Sequence, residues 1–205
     1  MLQPMLETLP KTVLKASSKT AAKTAPLLHR APSPLGDILL AATDRGLYGL
    51  WFDGQKHLPD MRHWPSGHNA VIDLAQLQMQ QYFAKQRSTF DLPLDLSAGT
   101  AFQQTVWQAL LAIPCGGHSS YGAIAQRIRN PKAVRAVGAA VGRNPISVIV
   151  PCHRVLGASG ALTGYAGGLA RKTALLQLEG VLPEGAVTLS NPVIYGDLGM
   201  QAMLI

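Results

Sequence analysis

The chain has 205 residues, 47% of them hydrophobic, with 18 lysines and arginines against 11 acidic residues, a formal charge of +7, and two cysteines. That length holds one large or two small domains and that composition excludes whole-chain disorder. Apolar runs such as Ile38 to Ala42 fall far short of the roughly 18 residues of a bilayer span, so a soluble protein with no membrane partner is expected. Cys115 and Cys152 can build neither a disulfide framework nor a cysteine-rich zinc site, which points to a reducing compartment: the cytoplasm, or the nucleus in a eukaryote.

The charge is unevenly distributed. Residues 1–36 carry Lys11, Lys15, Lys19, Lys23 and Arg30 against Glu7, and residues 37–95 are slightly acidic. Residues 96–178 contain no Asp or Glu and eight basic groups, Arg127, Arg129, Lys132, Arg135, Arg143, Arg154, Arg171 and Lys172. Such a block suits a polyanion-binding face, where each cation placed at a phosphate releases a counterion, and equally suits a merely basic surface.

In chain order, residues 1–34, rich in Lys, Ala, Ser, Thr and Pro, read as a flexible basic tail. Its four lysines at every fourth position would share one face if a helix formed there. Residues 35–96 read as a small α+β domain. Ile38 to Ala42 and Gly46 to Phe52 flank Thr43-Asp44-Arg45 as a hairpin, and Val71, Leu74, Leu77 and Tyr82 mark the apolar face of a helix from Ala70 to Arg87. Phe90 to Leu96 alternates like an edge strand, Pro93 excluding a central place. His57, His63 and His68, with no cysteine near, read as surface residues. No catalytic constellation falls in this domain.

Residues 97–182 read as mostly helical, and 183–205 as a C-terminal tail. Phe102, Val106, Ala109, Leu110 and Ile113 recur at helical spacing behind a Thr100 cap, and Pro114-Cys115-Gly116-Gly117 ends that helix. Ser120 opens a helix from Tyr121 to Arg129, and Asn130-Pro131 reads as N-cap and first helical position of another through Gly142. The pair fits a helix-turn-helix. On its second helix Val134, Val137 and Val141 should face the core, leaving Arg135, Gly138, Ala139 and Gly142 outward, a small-residue face that lets the backbone approach DNA or another helix closely.

After an Asn144-Pro145 turn, Ile146 to Val150 reads as a short β-branched strand ending at Pro151-Cys152-His153-Arg154-Val155. A thiol with a pKa near 8.5 needs a base to become a nucleophile at neutral pH. Adjacent side chains in extended backbone point apart, so His153 reaches Cys152 only through a water or a bend. A carboxylate would fix the imidazole tautomer, and the only one between Leu96 and Pro183 is Glu179, at a helix end before Gly180.

The string Pro151-Cys152-His153-Arg154-Val155, with Arg135-Ala136-Val137-Gly138 and Asn144-Pro145 before it and Gly164-Tyr165-Ala166-Gly167-Gly168 and Glu179-Gly180 after it, closely resembles the O6-alkylguanine-DNA alkyltransferases, also called methylated-DNA-protein-cysteine methyltransferases. The likeness extends to Phe90 to Leu94, Phe102-Gln103, Val106-Trp107 and Ser120-Tyr121, covering about residues 35–182. It implies an α+β protein with a small ribonuclease H-like N-terminal domain and a winged-helix-like C-terminal one carrying the helix-turn-helix. It further implies a monomer that flips O6-alkylguanine, with O4-alkylthymine as the alternative lesion, from double-stranded DNA and takes the alkyl group irreversibly onto its own cysteine.

By motif match Cys152 is the acceptor, His153 the water-linked base, Glu179 its orienting carboxylate, Asn144 the support of the active-site turn, and Tyr121 a contact to the flipped nucleotide that donates a proton as guanine leaves. Arg135 matches the residue that fills the vacated stack, from a minor-groove helix carrying Ala136, Gly138 and Ala139, with Lys132 beside it. Tyr165, Ala166 and Gly167, with Val155 and Ser147, form the base pocket. The resemblance implies no cofactor and, without further N-terminal cysteines, no metal. Ala166 stands where many relatives have Ser, and Ser147 where some have Pro, which predicts a roomier pocket. The rival readings are a non-catalytic alkyltransferase-like lesion binder, in which the acceptor cysteine would be absent, and a Cys-His hydrolase, for which no oxyanion hole is visible. Cys115 reads as structural.

Overall fold

In the computed structural model residues 25–185 are described. The lysine series at 11–23 and most of the C-terminal tail fall outside them. Within the presumed tail, however, Leu27–Ala31 forms strand β1, paired antiparallel with β2 (Ile38–Thr43) in the register Leu27↔Ala42 to Ala31↔Ile38. The boundary at residue 34 is therefore too late. Pro26 and Pro32 mark a loop by composition, but they bracket the strand, where their missing N–H groups break no ladder.

β3 (Gly46–Phe52) completes a three-stranded sheet in the order β1-β2-β3, joined to β2 by the expected hairpin. Residues of β2 alternate between two covered faces, which is why the strand reads as an unbroken apolar run. Ile38, Leu40 and Ala42 enter the main core, and Leu39 and Ala41 meet Trp51 beneath Tyr48, Leu58, Met61 and Trp64.

Helix α1 (Ala70–Phe83) starts at Asn69, whose Oδ1 accepts from the N–H groups of Val71 and Ile72. Its buried face differs from the expected one: Ile72, Ala75, Met79 and Tyr82 are buried, whereas Leu74 and Leu77 are 36% and 50% exposed. The helix carries two apolar stripes, and the sheet covers the one ending in Tyr82. Residues 90–96 form no regular strand. They run along the edge of β3, with the Leu47 N–H donating to Pro93 O and the Asp95 N–H to Leu47 O, so Pro93 contributes only its carbonyl.

In the second half, α2 (Ala101–Leu111) carries the full capping box of Thr100 and Gln103. α3 (Tyr121–Arg127) is capped by Ser120 and α4 covers Val134–Gly142, giving the helix-turn-helix. Asn130 makes no side-chain cap, because Pro131–Ala133 is a 3₁₀ turn before α4 begins. The buried stripe of α4 is Val137, Ala140 and Val141. Val134, expected inside, heads the helix at that turn and stays 39% exposed, while Ala140 takes the inner place, its carbonyl accepting the indole N–H of Trp107. A two-residue parallel pair, β4 (Ser119–Ser120) with β5 (Val155–Leu156), ties the start of α3 to the segment after Cys152.

Last comes α5 (Leu169–Leu178), closed by a Schellman motif: Gly180, at φ +75°, donates to Gln177 O and Val181 donates to Leu176 O. Glu179 is the C-cap residue, so the helix terminator also fixes the only carboxylate of the acid-free region's end. No helix among the described residues is long and apolar enough to cross a membrane.

Candidate active site

The segment expected to be a strand is a pair of tight turns. The Ile149 N–H donates to Ser147 O across Val148 at φ +69°, and the Cys152 N–H donates to Val150 O across Pro151 at φ −82°, ψ 62°. These are γ-turn hydrogen bonds, the first of the strained kind. β-Branched residues prefer extended backbone, but two outside partners override that preference. The first is Asn144, whose Oδ1 accepts the Ile146 N–H at 3.0 Å while its Nδ2 donates to Val150 O at 2.7 Å and to Cys152 Sγ at 3.0 Å. The second is β3 of the N-terminal half: the Leu50 N–H donates to Pro145 O and the Ser147 N–H donates to Leu50 O.

Cys152–Arg154 then form a 3₁₀ turn, the bend that the adjacent pair requires. Cys152 is 4% exposed and His153 fully buried. Burial pushes the Cys152 thiol up, against the Asn144 amide, the Lys172 charge and two backbone amides that favour the thiolate, so the resting side chain is a thiol. Burial likewise lowers the His153 pKa, with Arg154 and Lys172 adding to the fall and Glu179 opposing it, so the resting imidazole is neutral and able to accept a proton.

Glu179 is held more firmly than its sequence position suggests. Its Oε1 accepts from His153 Nε2 at 3.0 Å, Arg154 Nη2 at 2.8 Å and Tyr82 Oη at 2.7 Å, and its Oε2 from Arg154 Nε at 2.9 Å. Burial alone would raise its pKa, but the hydrogen bonds of His153 and Arg154 outweigh that and lower it to about 2. An ionised carboxylate only accepts, so the His153 proton sits on Nε2 and the lone pair on Nδ1. Nδ1 has no hydrogen-bond partner among the described residues.

The residues expected to line a base pocket take the following places. Ser147 is buried and its hydroxyl donates to Gln55 Oε1 at 3.1 Å. Tyr165 is buried with Gly167 against its ring, where a Cβ would lie 2.7 Å from Tyr165 Cε1. Ala166 O accepts the Lys56 N–H. Val155 is buried, and its carbonyl and that of Thr163 accept from Lys172 Nζ at 2.6 and 2.8 Å. Tyr121 lies against Gly138 of α4, and its Oη accepts from Thr163 Oγ1 at 3.3 Å, leaving the phenol proton for another acceptor. On the outer face of the helix-turn-helix, Lys132, Arg135, Ala136 and Ala139 are exposed and Gly138 is half-buried.

Four contributors escaped the sequence reading. Tyr82, Leu50 and Gln55 come from the N-terminal half, which is thus part of the site rather than a bare scaffold. The fourth, Arg154, belongs to the cysteine motif but lies buried on Glu179, with Nη1 donating to Ile113 O. Of the eight cations in the acid-free block, Arg154 and Lys172 are interior, and Arg171 is half-buried, stacking 4.7 Å over the Phe52 ring and donating to Leu35 O. Five remain exposed: Arg127, Arg129, Lys132, Arg135 and Arg143. Cys115 is half-buried, and burial and the Glu179 charge raise its thiol against the opposing pull of Arg154, so it rests as a thiol although a cation lies within reach.

Residues 101–181 match the model of the 6-O-methylguanine DNA methyltransferase DNA-binding domain, and residues 28–96 that of the same family's ribonuclease-like domain. The chain is 51% identical over 150 residues to a methylated-DNA--protein-cysteine methyltransferase of Mycobacterium tuberculosis, covering 72% of this chain and 88% of that one. It is 47% identical over 154 residues to the Methanosarcina mazei protein of that name, covering 74% and 95%. Among solved structures, Mycobacterium tuberculosis OGT in complex with DNA superimposes with a TM-score of 0.69 at 49% identity, covering 74% of this chain and 91% of that one.

Proposed function

Since the chain belongs to the 6-O-methylguanine DNA methyltransferase family, we propose that it is a direct-reversal DNA-repair protein that binds alkylated double-stranded DNA as a monomer, in a reducing compartment, and moves the O6-alkyl group of guanine irreversibly to Cys152. The observation that carries this reading is a buried thiol, held by Asn144, beside a neutral histidine whose tautomer an ionised Glu179 fixes.

Arg135 enters the duplex from the exposed end of α4 and takes the place of the flipped base, and Lys132 holds phosphate. Gly138, Ala136 and Ala139 let the helix lie close in the minor groove. The base enters between Tyr165, Gly167 and Val155, with Ser147 at the alkyl end and the Ala166 main chain at its edge. The Cys152 proton passes through a water to His153 Nδ1, and Glu179 stabilises the imidazolium. The thiolate forms an S–C bond to the alkyl carbon as the C–O6 bond breaks, and its electron pair passes to guanine, which takes a proton from Tyr121. The thioether product has no route back, so each molecule reacts once. The nucleophile, base and acid are all side chains of this chain, joined by one water, and neither a metal nor a cofactor enters the step.

A non-catalytic lesion binder would not need the thiol, its base and the carboxylate together. Intact mass after incubation with an O6-methylguanine oligonucleotide decides between the two. A gain of one methyl group on Cys152, abolished in Cys152→Ala, is expected; binding without a mass change refutes transfer.

A further inference from the structure

The carboxylate that orients His153 receives one donor from outside its own domain. Tyr82 Oη, on α1, donates to Glu179 Oε1 at 2.7 Å, the same oxygen that accepts from His153 Nε2 at 3.0 Å and Arg154 Nη2 at 2.8 Å. A carboxylate oxygen offers about two lone-pair sites, so three donors compete for it. Tyr82 is almost fully buried, and its ring is fixed between Phe83 and Phe90, at centroid distances of 5.5 and 5.4 Å. The phenol cannot act as a second base there, because burial and the Glu179 charge push its pKa far up; it is a permanent donor.

We propose that Tyr82 is a positioning residue for alkyl transfer, its hydroxyl sharing Glu179 Oε1 with His153 and thereby limiting how strongly the carboxylate stabilises the imidazolium. The inference rests on His153 being the base of the reaction proposed above. A tighter Glu179–His153 bond would favour the charged ring before the thiol has given up its proton, and a charged ring cannot accept it. By drawing on Oε1, the Tyr82 donor adds to burial in holding the resting ring neutral. It also makes the basicity of the site depend on the docking of α1, so that the two domains must be in register for the histidine to be poised.

Other charged or titratable groups surround this pair: Lys85 and Arg87, just after α1, line the cleft shared by Tyr82 and Glu179, and the rest come from the C-terminal half. Arg154 and Lys172 disfavour the imidazolium, Cys152 adjoins His153 in the chain, and Cys115 lies within electrostatic reach of Glu179. Each remains when the Tyr82 hydroxyl is removed, so the substitution isolates one donor.

The test uses Tyr82→Phe in the full chain, which keeps the ring packing and deletes only the hydroxyl. Two quantities are followed from about pH 4 to about pH 9: the His153 imidazole titration by NMR, and the single-turnover methyl-transfer rate at saturating oligonucleotide. Losing one charge-assisted hydrogen bond should raise the His153 titration and the acid limb of the rate profile together, by about half to one pH unit, with DNA affinity unchanged. Phe90→Leu, which loosens the same ring without touching the hydroxyl, should lower stability and leave both curves in place. A His153 titration that does not rise in Tyr82→Phe overturns the proposal, as does a rate that falls equally at every pH. If the wild type transfers no methyl group, the functional reading fails while the NMR titration still decides whether Tyr82 tunes the histidine.

Discussion

Replacing Glu179 by Gln keeps the shape of the side chain and removes the charge on which three donors converge. The amide retains one oxygen, so Arg154 Nε, now 2.9 Å from what becomes either an NH₂ group or a contested carbonyl, loses its acceptor. The Arg154 side chain is only 7% exposed, and removing one partner of such a buried pair costs about 3–5 kcal/mol. An independent route gives a similar figure. A carboxyl group held at about 2 instead of its ordinary 4.5 contributes about 3 kcal/mol of stability above both values. The group is depressed in the folded state, so this contribution is complete above about pH 4.5 and is lost as pH falls towards 2. Urea unfolding of wild type and Glu179→Gln at neutral pH, repeated at intervals down to about pH 3, measures both quantities. The wild type should be the more stable by about 3–5 kcal/mol at neutral pH, with the gap narrowing below pH 4.5. Transfer by the folded fraction of the variant should fall at least tenfold, since the imidazolium loses its counter-charge. A gap under about 1 kcal/mol, or one constant with pH, would show that the Glu179 carboxylate does not hold Arg154 and His153 as described.

Other substitutions separate the parts of the site. Ser147→Pro deletes the N–H that donates to Leu50 O at 2.8 Å, so it should cost about 1–3 kcal/mol and slow reaction with O6-benzylguanine, whereas Ser147→Ala keeps the N–H and the stability; a proline variant faster than wild type refutes the roomier pocket. Gly167→Ala would place a Cβ 2.7 Å from Tyr165 Cε1 and 3.2 Å from Phe52 Cδ2, displacing the tyrosine wall at a cost of about 1–3 kcal/mol and slowing transfer from duplex and free base alike; unchanged kinetics would mean the wall is slack. Arg135→Ala, at an exposed position, should change stability by no more than about 0.5 kcal/mol and slow transfer from duplex DNA but not from free O6-methylguanine; equal slowing of both removes its role in the stack. With five exposed cations in the block, a chain lacking residues 1–24 should bind DNA with a log–log salt slope no steeper than about −4.5, and the full chain should be steeper if the tail lysines meet phosphate; identical slopes would exclude the tail from the contact.

What the sequence makes legible here is whatever is decided by near neighbours. Thr100 before Ala101, Ser120 before Tyr121, and the Gly180 stop after Glu179 each satisfy a helix end within a few residues, and all three appear as expected, with Gln103 completing the first. Ile146 to Val150 shows the limit of the same reasoning. Its β-branched run states a local preference for extended backbone, yet the Asn144 amide and the backbone of Leu50 impose two γ-turns. Leu50 lies almost a hundred positions earlier, and no local pattern announces that contact. The two stripes of α1 pose the same problem, since both are apolar and only the sheet chooses between them.

Charge is the subtler case. The absence of acids from residues 96–178 leaves eight cations that suit a polyanion-binding face or a merely basic surface, and a cation count carries no information on direction. Arg154 and Lys172 turn inward because each finds fixed acceptors there: Arg154 has the Glu179 carboxylate and Ile113 O, and Lys172 has the carbonyls of Val155 and Thr163. Both lie within electrostatic reach of His153 and disfavour its charged form. The acid-free block therefore has a second consequence besides attracting a polyanion. Burial does most to keep the histidine neutral, and the two interior cations, offset among the described residues by the Glu179 carboxylate, add to it, holding the state from which it can take the Cys152 proton.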